Sequence, residues 1–288
     1  MRTDTRSTLA AALRTLRSSS DVNGRLFVPP PASAFRNPDR QYLQNHSTYG
    51  EYNYLRPGLL TRVKTIHFEV ALELARERFG TDNVIDFGSA DGVFLPSLAK
   101  HFPGVVAIEQ REDFIEVAKD VVQAAAIRNV EVVCNRDLTM QEMKKRLGER
   151  SYSTAFLLEV LEHVGDPKDQ YPSRIRFLKD IFALLDGPEP TVIISVPTMV
   201  GLPFLLQRLA LTAFGMAREP IGLTDTLRAG LAKRTERLEA DWNGGHLGFN
   251  HLRLEHFLRE SFEIITRRDI FVQLVYAIRE KRSAKGPA

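Results

Sequence analysis

Nine residues, VIDFGSADG (Val84–Gly92), bring two carboxylates, a hydroxyl and two glycines into what reads as a strand, a tight turn and a helix start. Gly88 and Gly92 give the backbone freedom where a chain must come close to a ligand. A dinucleotide fingerprint would need glycine at positions 90 and 93, and the chain has Ala90 and Val93 there. A pyrophosphate also prefers bare amides at a helix N-terminus, whereas Asp86 and Asp91 bring negative charge to this turn. The turn therefore suits a cationic ligand, with Asp86, Gly88, Ser89, Ala90 and Gly92 as its contacts. About twenty residues further on, Glu109 closes the run VVAIE, where two carboxylate oxygens can accept both hydroxyls of a ribose. Gln110 follows on the base side.

A second group lies in LLEVLEHVGDP, where Glu159, Glu162 and His163 fall at i, i+3 and i+4 and share one face if a helical turn begins there. On that face His163, with Glu162 beside it, can act as general base toward a hydroxyl. Alternatively the three can hold Mg2+ or a similar ion that lowers the hydroxyl's pKa. The plain structural reading is a solvated Glu162 and a packed His163, and the motif by itself favours no metal.

These groups need strands to carry them. Short apolar runs predict strands near 83–87, 105–109, 130–134, 153–158 and 191–196, separated by helices near 92–101, 112–126, 139–147 and 172–185. That alternation requires a parallel sheet with crossover helices. Residues 198–250 break the rhythm before a helix near 253–260, and the runs FEIITRRD and IFVQLVYAIRE close the chain as an antiparallel hairpin. The insertion opens with VGLPFLLQRLALTAFGM, a helix after Pro203 that is apolar except for Gln207, Arg208 and Thr212. It reads as a lid over a greasy acceptor, a helix lying on a membrane, or a helix packed on the sheet.

Upstream, residues 1–40 form an extension with a proline-rich linker and residues 41–80 a helical cap, its helix running from about Leu60 to Phe79. The cap's segment STYGEYNYLRPG gathers Tyr49, Tyr52, Tyr54 and Arg56, as gate residues over a site or as anchors of the extension. Residues 81–288 form the main domain. The first twenty residues are rich in Arg and Ser, with Leu9, Leu13 and Leu16 on one helical face. They suit an organelle transit peptide or a short solvated helix, and Asp4 favours the second, with the protein in the cytoplasm.

A chain of 288 residues, 43% of them hydrophobic, can bury one sizeable core. Its net charge of +3 is the charge of the tail alone, Arg279, Glu280, Lys281, Arg282 and Lys285. It therefore says little about nucleic acid, and LRAGLAKRTERLEADW mixes acids with its bases like a solvated helix face. The lone Cys134 forms no internal disulfide. No apolar run reaches the ~18 residues of a spanning helix. Nothing in the sequence fixes the oligomeric state.

Taken in this order, the turn, Glu109 and the later runs resemble the class I S-adenosylmethionine-dependent methyltransferases over about residues 80–288. Their first motif reads acidic-x-Gly-x-Gly-x-Gly, and Ala90 replaces its middle glycine here. S-adenosylmethionine carries a sulfonium and an ammonium and no phosphate, which agrees with an acidic turn. The resemblance implies an α/β fold: a Rossmann-like, mostly parallel seven-stranded sheet with a C-terminal antiparallel hairpin and helices on both faces. It further implies that Asp137 and Leu138 face the adenine, that Glu159 borders the cofactor and that Pro197 shapes the pocket edge. LLEVLEHV is similar to the E-V-L-E-H-V segment of ubiquinone-type O-methyltransferases, which implies a hydroxyl-bearing, partly apolar small-molecule acceptor. Those enzymes and plant small-RNA 2′-O-methyltransferases resemble the metal case, the RNA enzymes adding a distal histidine; His246 and His251 in GGHLGFNHLR are offered here, so a metal would draw on Glu159, Glu162, His163 and His251. The alternatives are a metal-assisted RNA or glycan O-methyltransferase, a non-catalytic adenosylmethionine-binding module and, disfavoured by the missing glycine, a nicotinamide-dependent oxidoreductase.

Overall fold

The computed structural model describes residues 25–35, 48–55, 58–213 and 221–281. The expectations for residues 1–20 and for Arg56 lie outside them. The strands are β1 (Asn83–Phe87), β2 (Val105–Glu109), β3 (Val130–Cys134), β4 (Tyr152–Leu158), β5 (Thr191–Pro197), β6 (Phe262–Asp269) and β7 (Gln273–Glu280). They form one seven-stranded sheet in the order β3-β2-β1-β4-β5-β7-β6. β1 pairs in parallel with β2 and with β4, β2 pairs in parallel with β3, and β6 and β7 pair antiparallel. β2 and β5 are buried along their whole length and β1 after its first residue, which is why they read as continuous apolar runs rather than alternating ones.

The helices are α1 (Leu59–Leu74), α2 (Leu95–His101), α3 (Glu112–Ala124), α4 (Met140–Leu147), α5 (Gln170–Phe182), α6 (Leu202–Ala213), α7 (Leu223–Leu231), α8 (Glu236–Ala240) and α9 (His251–Ser261). α1 stops earlier than the expected Phe79 and a 3-10 turn at Arg76–Arg78 follows it. α2 starts three residues later than expected, because Gly88, Ala90 and Gly92 hold left-handed backbone that no helix can include.

The chain divides into two compact units, one with the described residues up to Leu158 and Ile181–Ile193, the other with Glu159–Asp180 and the described residues from Ile194 onward. In the first, Phe27 stacks on Phe68 at 5.1 Å and Phe68 on Phe94 at 4.8 Å, tying the N-terminal segment and α1 to the residues just after the glycine turn. A capping box between Thr139 and Glu142 starts α4. In the second, the segment expected as one solvated helix face around 227–242 is instead two short helices, α7 and α8, broken at Lys233 with φ 57°. Glu239 is buried there, accepting from Thr235 Oγ1 and paired with Arg253, while the Gln170 side chain donates to its backbone carbonyl.

Candidate active site

In the first unit the turn after β1 is bound to the end of β2. Gly88 and Ser89 donate their backbone N–H groups to the Ile108 carbonyl at 2.8 and 3.1 Å. Ala90 N–H donates to Glu109 Oε2 at 2.9 Å, and Glu109 Oε1 accepts from Gln110 and Arg111 N–H groups at 2.8 and 3.0 Å. Gly88, Ala90 and Gly92 have φ of 77°, 47° and 79°, so the alternating glycines meet a conformational demand and Ala90 meets the same demand at a cost. Glu109 thereby sets the shape of the turn: Oε1 is filled by two N–H groups and Oε2 keeps about one lone pair for a ligand, so the expected two-oxygen grip on both ribose hydroxyls is not open to it.

The turn is electrostatically incomplete. Asp86 is 4% exposed and its Oδ2 has no hydrogen-bond partner within the protein. Burial, reinforced by the neighbouring Glu109, pushes its pKa up to about 7. Ser89 Oγ and Asn135 Oδ1 are likewise buried without partners. Orphaned acceptors of this kind cost free energy until a ligand supplies donors. An ammonium and a ribose, as S-adenosylmethionine carries, are such donors. Asp137 and Leu138 follow β3 at exposed positions.

Asp91 does something else, and its spacing in the motif gave no sign of it. It is buried, accepts from the Gly50 N–H and is hydrogen-bonded by the Thr48 side chain, and burial raises its pKa to about 6. It thus clamps residues 48–50 onto the turn. Tyr49 is exposed, its ring 5.9 Å from Phe114 and 6.1 Å from Tyr54, and Tyr54 packs on Phe68 at 5.2 Å. Beside them His67 is fully buried, and burial lowers its pKa to about 4, so it is neutral.

In the second unit the expected shared face of Glu159, Glu162 and His163 does not form. Glu159 has φ 57° and opens a tight turn closed by His163 N–H on the Val160 carbonyl at 2.9 Å, so the i, i+3, i+4 relation of a helix is lost. Glu159 is fixed by Ser195 instead: its N–H donates to Ser195 O and Oγ at 3.1 and 3.0 Å, and Ser195 Oγ donates to Glu159 Oε1 at 3.0 Å. Glu162 points inward, fully buried, with both carboxylate oxygens unpartnered. Burial, then the charge of Glu159, raises its pKa well above the usual range.

His163 is half exposed and its Nδ1 lies 2.6 Å from the Gly244 carbonyl oxygen. A carbonyl can only accept, so Nδ1 carries the hydrogen and Nε2 of the neutral ring is a bare acceptor. That Nε2 is 4.0 Å from Glu162 Oε1, and the His246 ring centroid is 4.8 Å from that of His163.

Glu162, His163 and His246 each place one ligand atom within 4.8 Å of the others. Neither Glu159 nor His251 belongs to this cluster. His251 starts α9, is buried, has an unpartnered Nδ1 and is held neutral by burial, its pKa lowered to about 4. Atoms around one transition ion with bonds of about 2.0–2.2 Å stand roughly 3–4 Å apart, so these side chains must close in to bind one. Two imidazoles and a carboxylate also suit a transition ion better than the expected Mg2+, which prefers oxygen ligands.

Arg174, which the sequence did not single out, builds the turn's foundation. It is fully buried, donates from Nε to the Leu161 carbonyl at 2.7 Å, and lies 4.8 to 5.2 Å from the rings of Trp242, Tyr171 and Phe249. Gly248 has φ 86° and a Cβ there would collide with the Leu238 carbonyl, so glycine lets the His246 loop pass. Pro197 ends β5 and is buried, and Thr198 N–H donates to the Val272 carbonyl at 2.9 Å.

A sheet of this strand order, with a glycine turn after β1 tied to an acid at the end of β2, defines a class I S-adenosylmethionine-dependent methyltransferase. A family model described as a methyltransferase domain matches residues 60–220, and the chain belongs to that family. No curated protein matches it. Among solved structures it is similar to the N-methyltransferase NodS from Bradyrhizobium japonicum WM9 in complex with S-adenosyl-L-homocysteine, at 13% identity and TM-score 0.45, covering 76% of this chain and 88% of that one. It is similar also to an O-methyltransferase family protein from Burkholderia thailandensis, at 13% identity and TM-score 0.49 over 77% of this chain and 58% of that one. No helix among the described residues is long and apolar enough to cross a membrane.

Proposed function

We propose that the chain methylates a hydroxyl oxygen of a small, partly apolar acceptor. The observation that carries this reading is the His163 ring, locked by Gly244 with Nε2 bare and the unpartnered Glu162 carboxylate beside it. A hydroxyl is a poor nucleophile until its proton leaves, whereas a neutral amine already offers its lone pair, so a base held in this way serves oxygen chemistry. His163 Nε2 would take the O–H proton of the acceptor, and the bound cofactor would supply the methyl group on sulfur as the leaving atom. Asp86, with its unpartnered Oδ2, and Glu109 would hold and orient that cofactor.

Two features support a small, partly apolar acceptor over RNA. The insertion's helix α6 is apolar on its buried side, at Phe204 and Leu205, and on its exposed side. Arg228 and Arg253, basic side chains that a phosphate backbone would need, face Glu236 and Glu239. The test is transfer of labelled methyl groups from S-adenosylmethionine to extracts. This reading expects label in a neutral, base-stable ether that His163→Ala forms about two orders of magnitude more slowly; label in an acid-extractable amine overturns it.

The Glu162–His163–His246 cluster supports a second reading, in which a divalent transition ion held there lowers the hydroxyl's pKa. Metal analysis of the purified protein, with and without Glu162→Gln and His246→Ala, tests it together with chelation. Activity in chelator equal to that with added Mn2+ or Zn2+ eliminates the ion.

A further inference from the structure

Six leucines of the insertion face solvent: Leu202, Leu206 and Leu209 on α6, and Leu223, Leu227 and Leu231 on α7. Spacings of i, i+4, i+7 and i, i+4, i+8 put each trio on one stripe of its helix. Elsewhere among the described residues, exposed large apolar side chains are scattered singly.

On α7 the usual order is inverted. Thr226, Ala229 and Gly230 are buried while Leu223 and Leu231 are 68% and 66% exposed. A Cβ on Gly230 would lie 2.7 Å from Leu205 Cβ, so α7 presses its small residues against α6 and turns its leucines away. A pair of helices locked together in this way cannot rotate its leucines into the core.

We propose that this leucine face lies on an anionic lipid surface. Charge selects that occupant. Over residues 202–213 and 221–236 the charged side chains are Arg208, Asp225, Arg228, Lys233, Arg234 and Glu236; Arg228 faces Glu236, and the others are three cations to one anion. Lys233 and Arg234 are exposed immediately beyond Leu231, where the apolar stripe ends. An apolar stripe that ends in cations fits acyl chains and anionic headgroups, whereas a second copy of the same surface would bring its own cations together. Twelve residues of α6 fall short of the ~20 that span a bilayer, so the pair lies in the interface plane. This inference stands apart from the identity of the acceptor.

The test is co-sedimentation of the full-length protein with phosphatidylcholine vesicles, with and without about 30% phosphatidylglycerol. We expect binding to the anionic vesicles that weakens with salt, falls about tenfold or more in Leu223→Ser/Leu231→Ser, and loses its anionic preference in Lys233→Gln/Arg234→Gln. The two leucines are largely exposed, and an unchanged melting temperature shows that the variant is folded; if it is not, Leu227→Ser serves in its place. Absence of vesicle binding, binding unaffected by the leucine changes, or a dimer that those changes dissociate overturns the proposal.

Discussion

His163 Nδ1–H donates to the Gly244 carbonyl oxygen, 2.6 Å away, and so turns Nε2 toward the buried Glu162 carboxyl, 4.0 Å from its Oε1. His163→Ala should lower methyl transfer by about two orders of magnitude while leaving cofactor affinity unchanged. Glu162→Gln keeps the shape and replaces a carboxyl whose ionised form burial opposes, so it should melt no lower than the parent at pH 8 and still lose most of its turnover. A Glu162→Gln protein with full activity would show that the carboxylate takes no part.

The turn after β1 makes stability depend on pH. Asp86 rises from the ordinary 3.8 to about 7 in the folded chain, so between about pH 4 and pH 7 the folded state holds a proton that the unfolded state has released. Unfolding free energy without cofactor therefore falls as pH rises through that window, by roughly 4 kcal/mol at most. Asp91, raised to about 6, adds in the same direction. Asp86→Asn should flatten this fall and raise the melting temperature at pH 8, while weakening binding of S-adenosylhomocysteine, whose ammonium it no longer balances. Melting curves from pH 4 to pH 8 check the sign.

Gly50 meets Asp91 so closely that an added Cβ would collide with Val93 and lie 2.7 Å from Asp91 Oδ1. Gly50→Ala should therefore release residues 48–50 from the turn, at about 1–3 kcal/mol in stability. Faster limited proteolysis near residue 50 and a higher Kd for S-adenosylhomocysteine are the expected readouts.

Ala90 holds φ 47° where a glycine would hold it without steric cost. Ala90→Gly relieves about 1–2 kcal/mol of left-handed strain and returns about 0.4–1 kcal/mol to the unfolded chain's entropy. The net expectation is a small rise in melting temperature, measured without ligand. A fall would mean that the alanine methyl packs usefully in the turn.

Much of this was legible in the sequence, and the exceptions share a cause. The buried parallel strands read as Val- and Ile-rich runs, and the Asp86–Gly92 turn carried its own spacing, so both are local signals. The expected helical face at Glu159–His163 failed because Glu159 adopts left-handed backbone, which no periodicity reports. His246 reaches His163 from a residue 83 positions away, past a glycine at 248 whose necessity lies in the Leu238 carbonyl. Arg174 lies in the helix expected near 172–185, whose spacing does not report its burial, and only the packing of Tyr171, Trp242 and Phe249 shows it. The leucines of α7 ran against the rule that apolar residues turn inward.

Calorimetric titration with S-adenosylhomocysteine bears most directly on the whole account, because Glu109 both shapes the turn through Ala90 N–H and keeps a lone pair on Oε2 for the ribose. The native chain should bind one equivalent, Glu109→Gln should bind more weakly, and Glu109→Ala should lose about tenfold or more in affinity. A native chain that does not bind, or a Glu109→Ala variant that binds as tightly as the native chain, would contradict the placement of the cofactor on this turn.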